Sequence, residues 1–322
     1  MKIVIITDGN SEQGLGHIYQ SRTLAKYLLE RKECHPEITF LTKSDEDVTA
    51  LIENDGFLVE RLQDDDDIFG YLRMMQPEIV IFDKIDVSPT LAQRIKSELH
   101  LKLVIFTNLT EANKFADISV MGTMGSHFKN CVLTRGETLE FWGPKYIILR
   151  PDFFTFQAKR SKDVDSILLI FGGADPANLT FSVMKVLLES SRNYTIKVIL
   201  GAANKRKDAI EALLKKTDGI NVEILENVSD TAGLMYCSDL VLVSPGISFF
   251  ESLAVGTPVI CFHQNEFQYN AWKEDVKTYD KKDVPGLINL IDDKKFIFPY
   301  TFFTESMEIG AGVNDIISEI IK

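Results

Sequence analysis

The chain has 322 residues, 45% hydrophobic and 25% charged, enough for two domains with separate cores. Its formal net charge of −12, from 47 acidic against 35 basic side chains, disfavours a nucleic acid held on a basic surface. Cys34, Cys131, Cys237 and Cys261 lack Cys-x-x-Cys spacing, which argues against a zinc knuckle or a disulfide framework, and they read as ordinary buried thiols. No apolar stretch approaches the roughly 20 residues of a membrane-spanning helix, and the chain opens on a strand pattern rather than a charged leader, so the expectation is a cytoplasmic protein.

The first apolar run, Ile3-Val4-Ile5-Ile6, reads as a strand, and the turn chemistry of Asp8-Gly9-Asn10 follows it. Asp8 then borders the crevice that open α/β sheets use for ligands. Gly14-Leu15-Gly16-His17 opens a helical pattern, so its N–H groups and the helix dipole are expected to face an anion, a phosphate. His17 at that helix start is the sharpest candidate for a base; as a cation it would neutralise phosphate, and its bland alternative is a capping or packing role. Alternation predicts strands at 2–7, 37–42, 57–60, 78–82, 102–106 and 117–121, and helices near 17–32, 45–54, 67–75 and 88–99. Continuous apolar strands such as Ile79-Val80-Ile81-Phe82 fit a parallel, doubly wound sheet buried on both faces. The run Asp64-Asp65-Asp66-Asp67 reads as a solvated loop feeding a helix N-terminus rather than a metal site.

Prolines in Trp142-Gly143-Pro144 and Arg150-Pro151-Asp152-Phe153, followed by a polar stretch over 157–165, mark a domain boundary, giving domains over 1–150 and 151–322. The pattern then restarts, with strands at 166–171, 195–200, 221–225, 239–243 and 258–262 and helices near 177–191, 205–216, 230–236 and 248–255. Gly172 and Gly173 follow the first of these strands and let backbone approach a ligand, while Asp175 before Pro176 reads equally well as an N-cap with proline at the first helical position. Ser244-Pro245-Gly246-Ile247-Ser248-Phe249-Phe250-Glu251 repeats the strand–turn–helix arrangement. Ser248 and Glu251 are spaced as a capping box; alternatively Gly246 and Ser248 hold phosphate while Glu251 accepts hydroxyls of a ribose diol. The stretch from Val313 to Lys322 is a short amphipathic helix, of a kind that can cross back onto the first domain.

Together, Gly14-x-Gly16-His17, the Leu139 to Phe153 stretch, Phe171-Gly172-Gly173-Ala174-Asp175-Pro176-Ala177-Asn178-Leu179-Thr180 and Gly246 to Glu251 resemble one family over nearly the whole chain. It is the UDP-2,4-diacetamido-2,4,6-trideoxy-β-L-altropyranose hydrolase of pseudaminic acid biosynthesis, grouped with spore coat polysaccharide glycosyltransferase-like proteins. The last motif is shared with the lipid II-forming N-acetylglucosamine transferase. The resemblance implies a GT-B fold, two Rossmann-like domains facing a cleft. It implies that His17 activates water at the anomeric carbon, releasing UDP, with the nucleotide on the C-terminal domain and Glu251 at its ribose.

Three departures stand out. The family commonly has arginine where this chain has Gln20, an Asp-x-Tyr where it reads Asp83-Lys84-Ile85, and an Asn-Gln pair whose imperfect counterpart is His263-Gln264-Asn265-Glu266-Phe267-Gln268-Tyr269-Asn270. Gln20, Asp83 and Gln268 join Asp8 and the glycines as expected substrate contacts, with a sugar differing from the prototype's. The leading expectation is a UDP-sugar hydrolase making a free amino-deoxy sugar for a nonulosonic acid or surface glycan. The alternatives are an inverting glycosyltransferase and a non-catalytic nucleotide-sugar binder. UDP is expected over a dinucleotide, since no Gly-x-Gly-x-x-Gly with a later ribose acid is present. No metal or other cofactor is expected, because the matched sites hold no Asp-x-Asp pair; the sequence sets no oligomeric state.

Overall fold

Apolar runs with helices between them become two parallel sheets, each with its own core. The computed structural model describes residues 1–10, 14–122, 129–156, 163–201, 204–215, 221–296 and 308–322. Among the described residues, the first compact unit comprises Met1–Asn10, Leu15–Leu149 and the C-terminal helix, and the second comprises Gly14 and the chain from Arg150 to 296.

In the first unit, β1 (Lys2–Thr7), β2 (Glu37–Thr42), β3 (Leu58–Arg61), β4 (Ile79–Asp83), β5 (Lys102–Phe106) and β6 (Ile118–Met121) pair in the order 3-2-1-4-5-6, all parallel. That order reverses direction between β1 and β4, which is the switch point where doubly wound folds bind ligands. Side chains alternate across the sheet. Ile3, Ile5, Phe40, Ile81 and Val104 pack with α1 (Gly16–Leu29), whereas Val4, Ile6, Leu41, Val80 and Phe82 pack with α3 (Asp67–Met75) and α4 (Pro89–Arg94) on the other face. Helix α2 (Glu46–Glu53) joins β2 to β3, its N-cap Asp45 accepting from the Val48 amide.

Sequence pattern predicts no strand between 121 and 166, and the structure adds two there. Cys131–Arg135 (β7) and Thr138–Trp142 (β8) form an antiparallel hairpin, turning at Gly136 with φ +63°, and β8 extends the sheet beside β6. Part of the polar boundary stretch, 157–162, lies outside the described residues.

The second unit holds β9 (Ser166–Ile170), β10 (Thr195–Ile199), β11 (Val222–Leu225), β12 (Leu240–Val243) and β13 (Val259–Cys261), ordered 11-10-9-12-13 and again parallel. Helices α5 (Leu179–Leu188), α6 (Lys207–Leu214), α7 (Thr231–Cys237) and α8 (Ile247–Val255) join them. Two helices that periodicity missed follow: α9 (Glu266–Trp272) and α10 (Leu287–Asp292). Trp272 anchors α9 by packing against Phe249 and Phe250 of α8, with ring centroids 4.9 and 5.4 Å away. Asp175 is not the N-cap of α5: that place belongs to Asn178, and Pro176 lies outside the helix. Asp175 nonetheless binds the helix start, its carboxylate accepting from the amides of Leu179 (2.8 Å) and Thr180 (2.9 Å). Of the four thiols only Cys261 is buried; Cys34 is half-buried and Cys131 and Cys237 are exposed.

The C-terminal helix α11 (Val313–Ile321) belongs to the first unit. Val313, Ile316, Ile317 and Ile320 recur at helical spacing and are buried in the same core as Ile3 and Ile148. Replacing Ile317, which is fully buried, with alanine is expected to destabilise the first unit by about 2–5 kcal/mol through lost transfer energy and a residual cavity. Urea unfolding followed by circular dichroism reads that loss; a change under about 0.5 kcal/mol would mean the helix is not part of the core.

Candidate functional site

Positions 17, 20 and 21 share one face of α1 with Ile18, Leu24 and Leu28, which bury the helix against the sheet. The packing that seats α1 therefore delivers His17, Gln20 and Ser21 to the carboxyl end of β4, where Asp83 is the last strand residue. Asp83 is 1% exposed and collects four contacts. His17 Nδ1 lies 2.7 Å from Oδ1, Gln20 Nε2 lies 3.1 Å from both oxygens, and the Ser21 hydroxyl donates to Oδ2 at 2.9 Å. A carboxylate only accepts, so His17 carries its proton on Nδ1, which leaves Nε2 as the basic nitrogen, with no hydrogen-bond partner among the described residues. Burial alone would lower the His17 pKa. The charge and hydrogen bond of Asp83, then Asp86 and Asp8, outweigh burial and raise it above its ordinary 6.5.

Beside this pair sits a second buried ion cluster. Lys84, 6% exposed, bridges Asp8 Oδ2 at 2.8 Å and Asp65 Oδ1 at 2.7 Å, and Asp8 also accepts from the Lys43 amide at 2.7 Å. Burial opposes the Lys84 charge, but Asp8 and Asp65 overcome it and hold its pKa above 10.5. Asp65, read as part of a solvated loop, is thus an ion-pair partner. Among the described residues no group of three or more His, Cys, Asp or Glu side chains could hold a metal ion.

Several of the expected substrate contacts already hold partners within the protein. Asp83 and Gln20, expected to touch substrate, are buried and committed to each other, and Asp8 is committed to Lys84 and Lys43. Gly14, at φ +85°, takes the left-handed conformation that favours glycine, and side-chain space beside Gly14 and Gly16 is open among the described residues. Among the described residues no side chain caps the start of α1.

Thr107 was missed by sequence reasoning. Its hydroxyl lies 3.3 Å from Gln20 Nε2, and at φ +54° it holds a left-handed conformation rare for a β-branched residue. No local pattern announces such strain. Thr7, opposite Asp83 in the β1–β4 register, has a buried hydroxyl with no partner among the described residues.

In the second unit the turns after β9 and β12 flank the corresponding switch point. Gly172 has φ +80° with open space beside it, and the space beside Gly246 is open too. Gly201 has a structural reason to be glycine: a Cβ there would lie 2.3 Å from the Gly173 Cα. Ser248 and Glu251 do not form a capping box, because the N-cap of α8 is Gly246 and no side chain caps it. Instead Glu251 is half-buried beside the Ser248 hydroxyl. Burial raises its pKa to about 7, against the opposing effects of Arg150 and the Ser248 hydrogen bond.

Gln268, another expected substrate contact, braces loops. Its Nε2 donates to the Pro245 carbonyl at 3.0 Å and its Oε1 accepts from the Gln264 amide at 2.8 Å. Gln264 in turn donates to the Phe171 carbonyl at 2.5 Å, so the two glutamines tie the β9, β12 and β13 loops together. The signal for this region was the N-cap: Asn265 accepts from the Gln268 amide and starts α9.

The chain matches no family model. It is 39% identical over 329 residues to the uncharacterized protein MJ1062 of Methanocaldococcus jannaschii, covering 99% of this chain but 66% of that protein. It is 28% identical over 307 residues to the spore coat polysaccharide biosynthesis protein SpsG of Bacillus subtilis, covering 92% and 87% of the two chains. Among solved structures it is similar to CalG4, the calicheamicin glycosyltransferase (TM-score 0.63, 12% identity, 99% and 95% covered). It is also similar to Anabaena Alr3699/HepE in complex with UDP and glucose (0.54, 14%, 99% and 95%) and to the UDP-GlcNAc 2-epimerase of Neisseria meningitidis bound to UDP-GlcNAc (0.57, 10%, 100% and 99%). At these identities the solved structures establish the fold: the chain is a GT-B protein of two Rossmann-like domains. No described helix is long and apolar enough to cross a membrane.

Asp83→Asn would place an amide donor among donors. The expected cost is about 2–4 kcal/mol from unpaired buried groups. The sign with pH follows from the raised His17 pKa: the pair stabilises fully below pH 6.5 and this contribution fades as pH rises through the folded-state value. The gap between wild type and variant in urea unfolding should therefore be wider at pH 5.5 than at pH 9. A gap independent of pH would show that His17 and Asp83 are not charge-coupled.

Proposed function

We propose that the chain is an enzyme acting on a UDP-sugar, and specifically a hydrolase that releases UDP and a free amino-deoxy sugar for a nonulosonic acid or surface glycan. The observation that carries this reading is the His17 ring at a sheet switch point with Nδ1 fixed by a buried carboxylate, which leaves Nε2 as its basic nitrogen. Water attacks the anomeric carbon as the bond to the β-phosphate oxygen breaks. UDP leaves with the electron pair, and His17 Nε2 takes the proton of the attacking water. Attack opposite the leaving group inverts the anomeric configuration.

The nucleotide is assigned to the second unit. The uncapped start of α8 and the open space at Gly246 suit a phosphate, with Gly172, Gly173 and Ser248 nearby in the same loops and Glu251 accepting the ribose hydroxyls. The UDP and sugar bound by two proteins of this fold, and the polysaccharide role named for SpsG, support a UDP-sugar substrate. Fold alone does not choose among transfer, epimerisation and hydrolysis.

His17→Asn should lower UDP release by about 10² to 10⁴, the usual worth of a positioned base, with UDP affinity within about twofold of wild type. Because the base works unprotonated, kcat/KM should fall on the acid side with a midpoint above 6.5. Coupled assays with a panel of UDP-sugars read both. Release without an acceptor supports hydrolysis; release only with a saccharide acceptor identifies an inverting transferase in which His17 deprotonates a hydroxyl. No release from any donor overturns catalysis and leaves a nucleotide-sugar binder.

Glu251 gives a separate readout. With its pKa about 7 in the free protein, and ribose hydroxyls favouring the ionised acid, uridine should bind more tightly as pH rises through 7. Glu251→Gln should remove that dependence and weaken uridine about tenfold. Uridine lacks phosphate, so calorimetry at pH 6 and 8 isolates the carboxyl group; unchanged affinity in the variant would remove Glu251 from the ribose site.

A further inference from the structure

Asp83 is the only buried carboxylate of the first unit whose contacts, among the described residues, include no lysine or arginine. Its Oδ1 receives His17 and Gln20, and its Oδ2 receives Gln20 and Ser21. Three of these four contacts are neutral. The nearest buried ammonium, Lys84, is taken by Asp8 and Asp65. The other groups bearing on His17 are Asp86 and Asp8, both negative, while Lys43 pairs with Asp8 and Asp65.

Gln20 is held in turn. It is 5% exposed, and its amide must present its NH₂ edge because a carboxylate cannot donate. One hydrogen spans the two Asp83 oxygens and the other reaches the Thr107 hydroxyl. A strained residue and a buried amide therefore cooperate to fill the lone pairs of Asp83 without cancelling its charge.

We infer that Gln20 is a positioning residue: a neutral clamp that orients Asp83 while leaving His17 as the sole group able to neutralise it, and so sets the strength of the base. Arginine at this position would reach the same carboxylate with a permanent charge, satisfy Asp83 without His17, and repel the imidazolium. This rests on the reading of His17 as the base, but its test does not need substrate.

The experiment is an NMR pH titration of the His17 ring in ¹⁵N-histidine-labelled protein, assigned by the signal lost in His17→Asn. In Gln20→Arg the His17 midpoint should fall, its proton affinity dropping about tenfold or more. In Gln20→Met, which removes the donors but adds no charge, the midpoint should stay at or above that of wild type. If turnover is observed, the acid limb of kcat/KM should move with the NMR midpoint in both variants. An unchanged midpoint in Gln20→Arg overturns the inference, as does a fall in Gln20→Met equal to that in Gln20→Arg. Should Gln20→Arg fail to fold, Gln20→Met decides alone: a lowered midpoint overturns the clamp. Absence of UDP release with the expected midpoints refutes the hydrolase and leaves the clamp standing.

Discussion

The first unit is organised around one costly object, an ionised carboxylate almost wholly removed from water. A buried charge of this kind survives only if its lone pairs are filled and some of its charge is returned. Asp83 meets the first demand with three residues of α1 and the second through a single imidazole. The sheet supplies the position, because β4 ends at the point where the strand order reverses, and the helix supplies the donors, because 17, 20 and 21 share its buried face. Removing either element leaves a charge without partners.

The same economy appears at Lys84, an ammonium held between two acids, and with different means in the second unit. There the carboxyl ends of β9 and β12 carry turns whose backbone is fixed by amide side chains rather than by charge. Gln264 and Gln268 clamp carbonyls at Phe171 and Pro245, and side-chain space beside Gly172 and Gly246 is open among the described residues. Desolvation raises the Glu251 pKa to about 7, so this carboxyl group is only partly ionised at neutral pH. The first unit thus concentrates charge and proton chemistry, and the second concentrates neutral donors.

Most elements were readable because doubly wound sheets write themselves as apolar runs separated by amphipathic helices. β1, β2, β4 and β5 fall within a residue of the expected ranges. The hairpin of β7 and β8 was hidden by two effects: its strands are short, with β7 mostly exposed, and the prolines after it read as a linker. Helix α9 was hidden because its packing depends on Trp272 meeting Phe249 and Phe250, a contact no local period records. His17, Asp83, Gln20 and Glu251 were named from motifs, yet their partnerships were not legible. A sequence shows which polar residues stand at a strand end; only coordinates show that Asp83 exhausts itself on α1, or that Thr107 adopts a conformation its side chain disfavours.

Everything proposed for the first unit requires that Asp83 hold the His17 proton on Nδ1 and leave Nε2 bare. Long-range ¹H–¹⁵N correlation spectra of the neutral ring, recorded well above its midpoint, distinguish the two tautomers directly. The account predicts a protonated Nδ1 and a bare, pyridine-like Nε2. A ring protonated on Nε2, with Nδ1 bare toward Asp83, would contradict it.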